Sequence, residues 1–165
     1  MEPPIEGALT VVRRATVNDA DLLVSWHADP DVSAYWDDET FTHDEMVARL
    51  QRPDVHPHII EANGAPVGYV QVWFSDPDDE CGIDMFLIPD ARGRGYGPDA
   101  ARALARKLIE RDGRPRVTVD PYLWNERAVR AWSKAGFRSV EERPAEGEHV
   151  HAWLLMEMDA NSFEM

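Results

Sequence analysis

The order of apolar and polar positions divides the chain into short alternating runs and longer stretches of helical period. Residues 9–14 alternate as an opening strand, and residues 18–27 carry Leu22, Leu23 and Trp26 at helical spacing behind a capping Asn18. Thr42 with Glu45 three residues on makes a capping box for a second helix, with Met46, Val47 and Leu50 on its apolar side, which stops before Pro53. Residues 58–62 and 66–74 are β-branched or aromatic runs joined by Asn63-Gly64, a pair suited to a two-residue hairpin turn because both positions need positive φ. Residues 82–88 read as a further strand. Between residues 98 and 111, Ala101, Leu104, Ala105, Leu108 and Ile109 repeat with the period of a helix that buries one side, and Gly113 ends it. Residues 116–120 form a short strand. A helix over 125–135 turns Ala128, Val129 and Trp132 inward, and Gly136 stands where a left-handed cap belongs. Strands at 137–143 and 149–158 complete an order of β α α β β β α β α β β, an α+β chain with a mixed sheet.

Length and composition narrow the class. A chain of 165 residues, 44% apolar and 29% charged, is expected to be one folded domain over 1–165, with residues 1–7 and 159–165 as frayed ends. It has no internal repeat, no low-complexity tract and no apolar run of the roughly 18 residues that a membrane span requires. The acidic start lacks the blocks of a signal peptide, and the expected location is the cytoplasm. The single Cys81 cannot form an internal disulfide and argues against a cysteine metal site, and a small strand residue is its expected role. The six His residues show no ligand spacing with a third donor, and no metal is expected. Net charge is −14, unevenly spread: residues 1–90 hold 4 basic against 19 acidic side chains, and residues 91–165 hold 13 against 12. Such a surface repels phosphate backbones and anionic lipid and attracts cations, so nucleic acid and membrane are poor partners and a cationic small molecule is a better one.

The most informative segment runs from a strand through Arg92-Gly93-Arg94-Gly95-Tyr96-Gly97 into a helix. Alternating glycines let the backbone turn tightly, so that successive N–H groups converge on one anion at a helix N-terminus, a geometry that suits a pyrophosphate. Pro98 fits the first helical position, and Arg92 and Arg94 add positive charge. A Walker loop would need Gly-Lys-Ser/Thr, which is absent. A dinucleotide fingerprint would follow the first strand of a βαβ unit, whereas this turn follows a fourth strand behind a hairpin.

The form Arg92-x-x-Gly95-x-Gly97 after a strand, with Asn125, Ala128 and Gly136-Phe137 downstream, resembles the acetyl-CoA binding core of the GNAT acetyltransferase superfamily. Gly82-Ile83-Asp84, residues 92–97, Val119-Asp120-Pro121 and residues 125–137 look most like the aminoglycoside 6′-N-acetyltransferases. A weaker likeness runs upstream through Asn63-Gly64, Pro66, Gly68-Tyr69 and Gln71. The resemblance implies a GNAT-type, mostly antiparallel central sheet flanked by helices, with strands 82–88 and 116–120 splayed to admit the pantetheine arm. It implies direct transfer of an acetyl group from acetyl-CoA to an amine in a ternary complex, and no metal. Phe86, Leu87 through its backbone N–H, Arg92, Gly93, Arg94, Gly95, Tyr96, Gly97, Pro98 and Asn125 would bind the cofactor. Asp84 and Asp120 would be catalytic, Asp84 as base directly or through water and Asp120 as the anchor of the ammonium.

A charge within an apolar strand is costly unless it faces a cleft or a partner, which favours those roles on physical grounds as well. Capping the turn before Pro121 is the alternative for Asp120. Many superfamily members carry a Tyr at the position of Trp132 to protonate the departing thiolate; an indole cannot do this, and Tyr122, water or unaided departure are the substitutes. Trp132 is expected to pack in the core. For a polycationic sugar amine, carboxylates beside aromatic platforms are the expected composition, with cation contacts to an indole face favourable by about 0.5–2 kcal/mol. Trp36, Asp38, Gln71, Trp73, Asp79, Asp84 and Asp120 supply it. The alternatives are a polyamine, amino-acid or siderophore-precursor amine as acceptor, or a noncatalytic acyl-CoA-binding module. The chain is expected to be a monomer or a homodimer.

Overall fold

The computed structural model describes residues 2–75 and 80–163. Its frame is one eight-stranded sheet made of β1 (Ile5–Glu6), β2 (Val11–Arg14), β3 (Val55–Ala62), β4 (Ala65–Ser75), β5 (Glu80–Leu87), β6 (Arg116–Val119), β7 (Arg138–Arg143) and β8 (Trp153–Asp159), in the order β1-β2-β3-β4-β5-β6-β8-β7. Every neighbouring pair is antiparallel except β5 and β6. This is the mixed, mostly antiparallel sheet expected from the sequence.

Strand alternation gives the sheet two different faces. Ile60, Val70, Val72, Ile83, Val117 and Val119 form one core with Ala100, Ala101, Leu104 and Leu108, from α4 (Tyr96–Arg106) and the turn after it. The same core takes Trp132 and Ala135 from α5 (Glu126–Ala135). On the other face Ile59, Tyr69 and Phe86 pack with Leu23, Val32 and Met46, from α1 (Ala20–His27), the single turn α2 (Pro30–Ser33) and α3 (His43–Leu50).

Local signals explain most boundaries. Asn63 and Gly64 have φ of 53° and 79°, as their hairpin requires. The Thr42–Glu45 capping box forms in both directions, with hydrogen bonds of 3.2 and 2.8 Å. Gly136 ends α5 at φ 116°. Cys81 is fully buried in the core. The first helix departs from expectation: Thr16 is its cap, reciprocally bonded with Asp19, and Asn18 lies inside the entering 3-10 turn. Further on, Gly95 in the left-handed region lets α4 start at Tyr96, which makes Pro98 its third residue, still among those whose N–H lacks a helical partner. The last strand begins at Trp153 and not at 149, because residues 146–149 close a tight turn around Gly147 at φ 60°.

Within the two end stretches expected to fray, several of the described residues make contacts. Ile5 and Glu6 pair with Val12 and Val11, and Phe163 packs on the core beneath the guanidinium groups of Arg102 and Arg106. The carboxylate of Asp99, in the first turn of α4, accepts from the amides of Ala8, Leu9 and Thr10 and from the Thr10 hydroxyl, at 2.7–3.0 Å. Asp99→Ala leaves those donors without their acceptor, and a loss of about 1–3 kcal/mol in urea unfolding is expected, with faster amide exchange confined to residues 7–10.

Candidate active site

The sheet opens where β5 and β6 part. They share one ladder position, Gly82 with Thr118, and diverge beyond it. The Ile88 amide donates to the Val67 carbonyl at 3.0 Å, which fixes the alternation along β5. Phe86 therefore turns its backbone groups to β4, while Met85 and Leu87 turn theirs into the gap. The Phe86 ring is 5% exposed and packs edge-on against Trp26, His27 and Trp36. The ring and the backbone of Phe86, expected at the cofactor, are both used inside the fold, and Met85 and Leu87 are the residues of β5 whose backbone groups face the gap.

The glycine turn closes one end of the opening. Gly93 and Gly95 have φ of 78° and 83°, and Gly95 precedes α4 without any side-chain cap, so the first amides of the helix point outward. At Gly97 a Cβ would find ordinary contact distances, 3.4 Å to Met85 Cε and 3.5 Å to Leu87 Cδ1, as α4 lies close on β5. The two arginines brace the turn: Arg92 donates to the Leu87 carbonyl at 3.2 Å and to the Asp31 carbonyl at 2.7 Å, joining α2 to the end of β5, and Arg94 donates to the Asp90 carbonyl. Tyr96 accepts from Asn63 through its hydroxyl, and Asn125 caps α5 by accepting from the Ala128 amide at 3.2 Å.

Asp84 lies on the face that carries α1–α3, in register with Gln71, whose amide donates to it at 3.2 Å. Tyr69 donates to Gln71 in turn, at 2.9 Å, so the amide is held with its nitrogen toward the carboxylate. Desolvation, reinforced by the charge of Asp120, pushes the Asp84 carboxyl up to about 7; Asp37 acts in the same sense, Gln71 and His149 against it. Asp120 follows β6 on this same face. His149 Nε2 is 2.7 Å from its Oδ2, and the imidazole stacks on Trp153 at 4.1 Å. Tyr122 donates to Asp37 at 3.2 Å, and burial together with Asp37 raises the pKa of its hydroxyl.

The aromatic residues divide between the second core and the surface. Trp36 packs edge-on against His27, Tyr69 and Phe86 in the second core and so supports the site from beneath. Trp73 lies flat over Gly82, where a Cβ would overlap its indole. Asp37 and Asp38, at φ 52° and 56°, form a turn outside that core, and Asp38 is exposed. Asp79 lies outside the described residues. The exposed ledge is instead Tyr35 stacked on Trp124 at 6.1 Å, Trp124 on Tyr122 at 6.2 Å, and His151 edge-on to Tyr122 at 5.2 Å. Trp132 is 8% exposed against Phe137, in the core as expected. The described residues contain no group of three or more His, Cys, Asp or Glu placed to hold a metal, and no helix long and apolar enough to cross a membrane.

With this geometry in hand, comparison with known proteins is informative. A family model described as an acetyltransferase (GNAT) domain matches residues 15–144. An aminoglycoside N(6′)-acetyltransferase type 1 from Klebsiella pneumoniae is 28% identical over 145 residues, covering 76% of this chain and 72% of that protein. The solved structure of AAC(6′)-Ib with paromomycin and acetyl-CoA superposes with a TM-score of 0.83 at 24% identity, over 94% of this chain and 96% of that one. The ribosomal L7/L12 alpha-N-protein acetyltransferase RimL, solved with coenzyme A, superposes as well, with a TM-score of 0.84 at 12% identity over 97% and 99% of the two chains. Enzymes with unlike acceptors share this fold, so the acceptor has to be read from the site.

Proposed function

Since the chain belongs to the GNAT acetyltransferase family and is an acetyl-CoA-dependent N-acetyltransferase, we propose that its acceptor is a primary amine of a polycationic small molecule, namely the 6′-amine of aminoglycoside antibiotics, acetylated by direct attack in a ternary complex. The observation that carries this reading is the convergence of Asp84 and of Asp120 with His149 on one face of the sheet where β5 and β6 part, beside a ledge of stacked, exposed rings. A lone ammonium would need one carboxylate. Several carboxylates next to flat rings suit a sugar that bears several ammonium groups. The curated relatives that are 28% identical act on aminoglycosides, which supports the same acceptor here.

Each residue then has a separate task. The outward amides of residues 93–97 receive the diphosphate of acetyl-CoA, Met85 and Leu87 face the pantetheine arm along the gap, and Asn125, whose carbonyl oxygen is used by its cap, contacts it through the amide nitrogen. The Leu87 N–H points to the same side as the gap and supplies a donor for charge that develops on the thioester oxygen. Asp120 and Asp37 hold the ammonium-rich sugar. Asp84, with a carboxyl that titrates near neutrality, takes the proton that the attacking amine must lose, directly or through one water. Trp132 is buried and cannot protonate the departing thiolate. Tyr122 retains its proton at neutral pH and stands with Asp37 at the mouth, so it or water returns that proton.

The test is a thiol-release assay with acetyl-CoA and two aminoglycosides that differ only in a 6′-amine or a 6′-hydroxyl, with spermidine and lysine amide alongside. A kcat/KM for the 6′-amino compound at least on the order of 10²-fold above the others is expected, because a site that pairs with an ammonium loses that partner in the hydroxyl analogue. Equal turnover of the 6′-hydroxyl compound, or a preference for spermidine, would overturn the acceptor and leave the enzyme class standing.

A further inference from the structure

Three carboxylates meet at the acceptor end of the cleft, and a protein donor already engages one oxygen of each. Gln71 Nε2 donates to Asp84 Oδ2 at 3.2 Å, Tyr122 donates to Asp37 Oδ1 at 3.2 Å, and His149 Nε2 lies 2.7 Å from Asp120 Oδ2. Because a carboxylate only accepts, His149 Nε2 carries the proton of that bond. The other oxygen of each carboxylate has no hydrogen-bond partner among the described residues.

The donor on Asp120 is itself held. Its imidazole stacks on Trp153 with ring centroids 4.1 Å apart and planes 12° from parallel, and the Arg143 guanidinium lies over the same indole at 5.3 Å. The amides of Glu146 and His149 bond to each other's carbonyls at 2.9 and 3.0 Å, with Gly147 at φ 60° between them. The Leu123 amide donates to the Ala152 carbonyl and the Leu154 amide to the Pro121 carbonyl, both at 2.9 Å. The segment that carries Asp120 is thereby laced to the one that carries His149. The Asp120 side chain is still 35% exposed, which leaves Oδ1 open to a ligand.

Such an arrangement treats cations unequally. An ammonium is a compact charge with three donors, and single oxygens from several carboxylates satisfy it. A guanidinium is a planar fork that pairs best with both oxygens of one carboxylate at once. At Asp120 the fork would have to compete with the imidazole for Oδ2 and push it off Trp153. Fixing one oxygen in advance also removes part of the ordering cost that an ammonium would otherwise meet on binding.

We propose that His149 is a positioning and specificity-determining residue of the acceptor cleft: by donating to Asp120 Oδ2 it presents a single oxygen, Oδ1, and so selects acceptors that carry ammonium groups over those that carry guanidinium groups. The selection rests on the reading of Asp120 as the anchor of the acceptor, and is independent of which amine is acetylated. It is a selection by shape, since both cations carry one positive charge.

The test is calorimetry on the full chain saturated with coenzyme A. One ligand is the amine turned over fastest in the thiol-release assay, and the other is the same molecule with its amines converted to guanidinium groups. The wild type is expected to bind the ammonium form at least about tenfold more tightly. His149→Ala is expected to narrow the ratio to about threefold or less, as Oδ2 becomes available to the fork. His149→Gln keeps a donor and loses the aromatic stack, and should retain most of the wild-type ratio. Asp120→Asn should weaken the ammonium form, and in that background His149→Ala should have no further effect. An unchanged ratio in His149→Ala, an equal loss in His149→Gln, or a wild type that does not distinguish the two cations would overturn the proposal. Unaltered amine affinity in Asp120→Asn would remove Asp120 as the anchor, and this selection with it.

Discussion

Asp84→Asn is expected to lower kcat/KM for the amine by a factor on the order of 10²–10⁴, the range that a positioned base contributes, while acetyl-CoA binding stays intact. The substitution keeps the Gln71 contact approximately isosteric and removes only the proton acceptor. A second signature separates this role from a structural one. In the wild type, kcat/KM should rise with pH, tenfold per unit, and level off above about 7, as the raised Asp84 carboxyl gives up its proton. Asp120→Asn removes a charge that pushes this carboxyl up, so the acidic limb should move to lower pH; His149→Ala removes a neighbour that pulls it down, so the limb should move higher. Stability provides the third sign. A carboxyl whose pKa is higher folded than unfolded, where about 4 is usual, binds its proton more tightly in the native state. Its contribution favours folding at low pH and is lost as pH rises through the window from about 4 to about 7. The Asn variant escapes that loss and should melt higher than the wild type at pH 8 while turning over at the reduced rate. A variant that melted lower at pH 8 and kept the acidic limb would show that Asp84 is a structural residue.

The parts of this molecule that were legible in the sequence are those set by neighbours in the chain. Asn63-Gly64 forms its turn because two successive positive φ values exclude most residues, and Thr42 and Glu45 cap α3 because three residues separate reciprocal donors. Asp84 was legible because a charge in an apolar strand needs a reason. What could not be read was set by pairs distant along the chain. Asp120 meets His149 across 29 residues, and only the tight turn around Gly147 and the stack on Trp153 bring the imidazole there. Trp36 packs edge-on between His27, Tyr69 and Phe86, while Tyr35 from one segment and Tyr122 and Trp124 from another, far along the chain, make the ledge. Phe86 shares its strand with residues that face the gap, and only the hydrogen-bond alternation of β5 shows that its backbone turns to β4 instead. Tyr122 and Trp124 lie in a turn closed by the Asn125 amide on the Tyr122 carbonyl, and His149 ends another, so no strand periodicity marked these residues.

Gly95→Val is expected to weaken acetyl-CoA binding on the order of 10²-fold, measured by calorimetry. Gly95 sits at φ 83°, where a β-branched residue is strained by about 1–3 kcal/mol, and the chain can relieve that strain by leaving the left-handed region. Doing so rotates the peptide that precedes α4 and turns its amides away from the diphosphate. Two charge-assisted hydrogen bonds lost at about 1.5 kcal/mol each give the stated factor. Crowding does not account for it, because the only atom near a Cβ at 95 is Leu9 Cδ1 at 3.5 Å. Gly113→Val is the matched control: its φ is 74°, nothing lies within 4 Å of the new Cβ, and the residue is beyond the far end of α4. Both variants should lose similar stability in thermal melts, and only Gly95→Val should lose the coenzyme. Equal affinity in the two would mean that the cradle is held by something other than the left-handed glycine, and the placement of the diphosphate at residues 93–97 would fall with it.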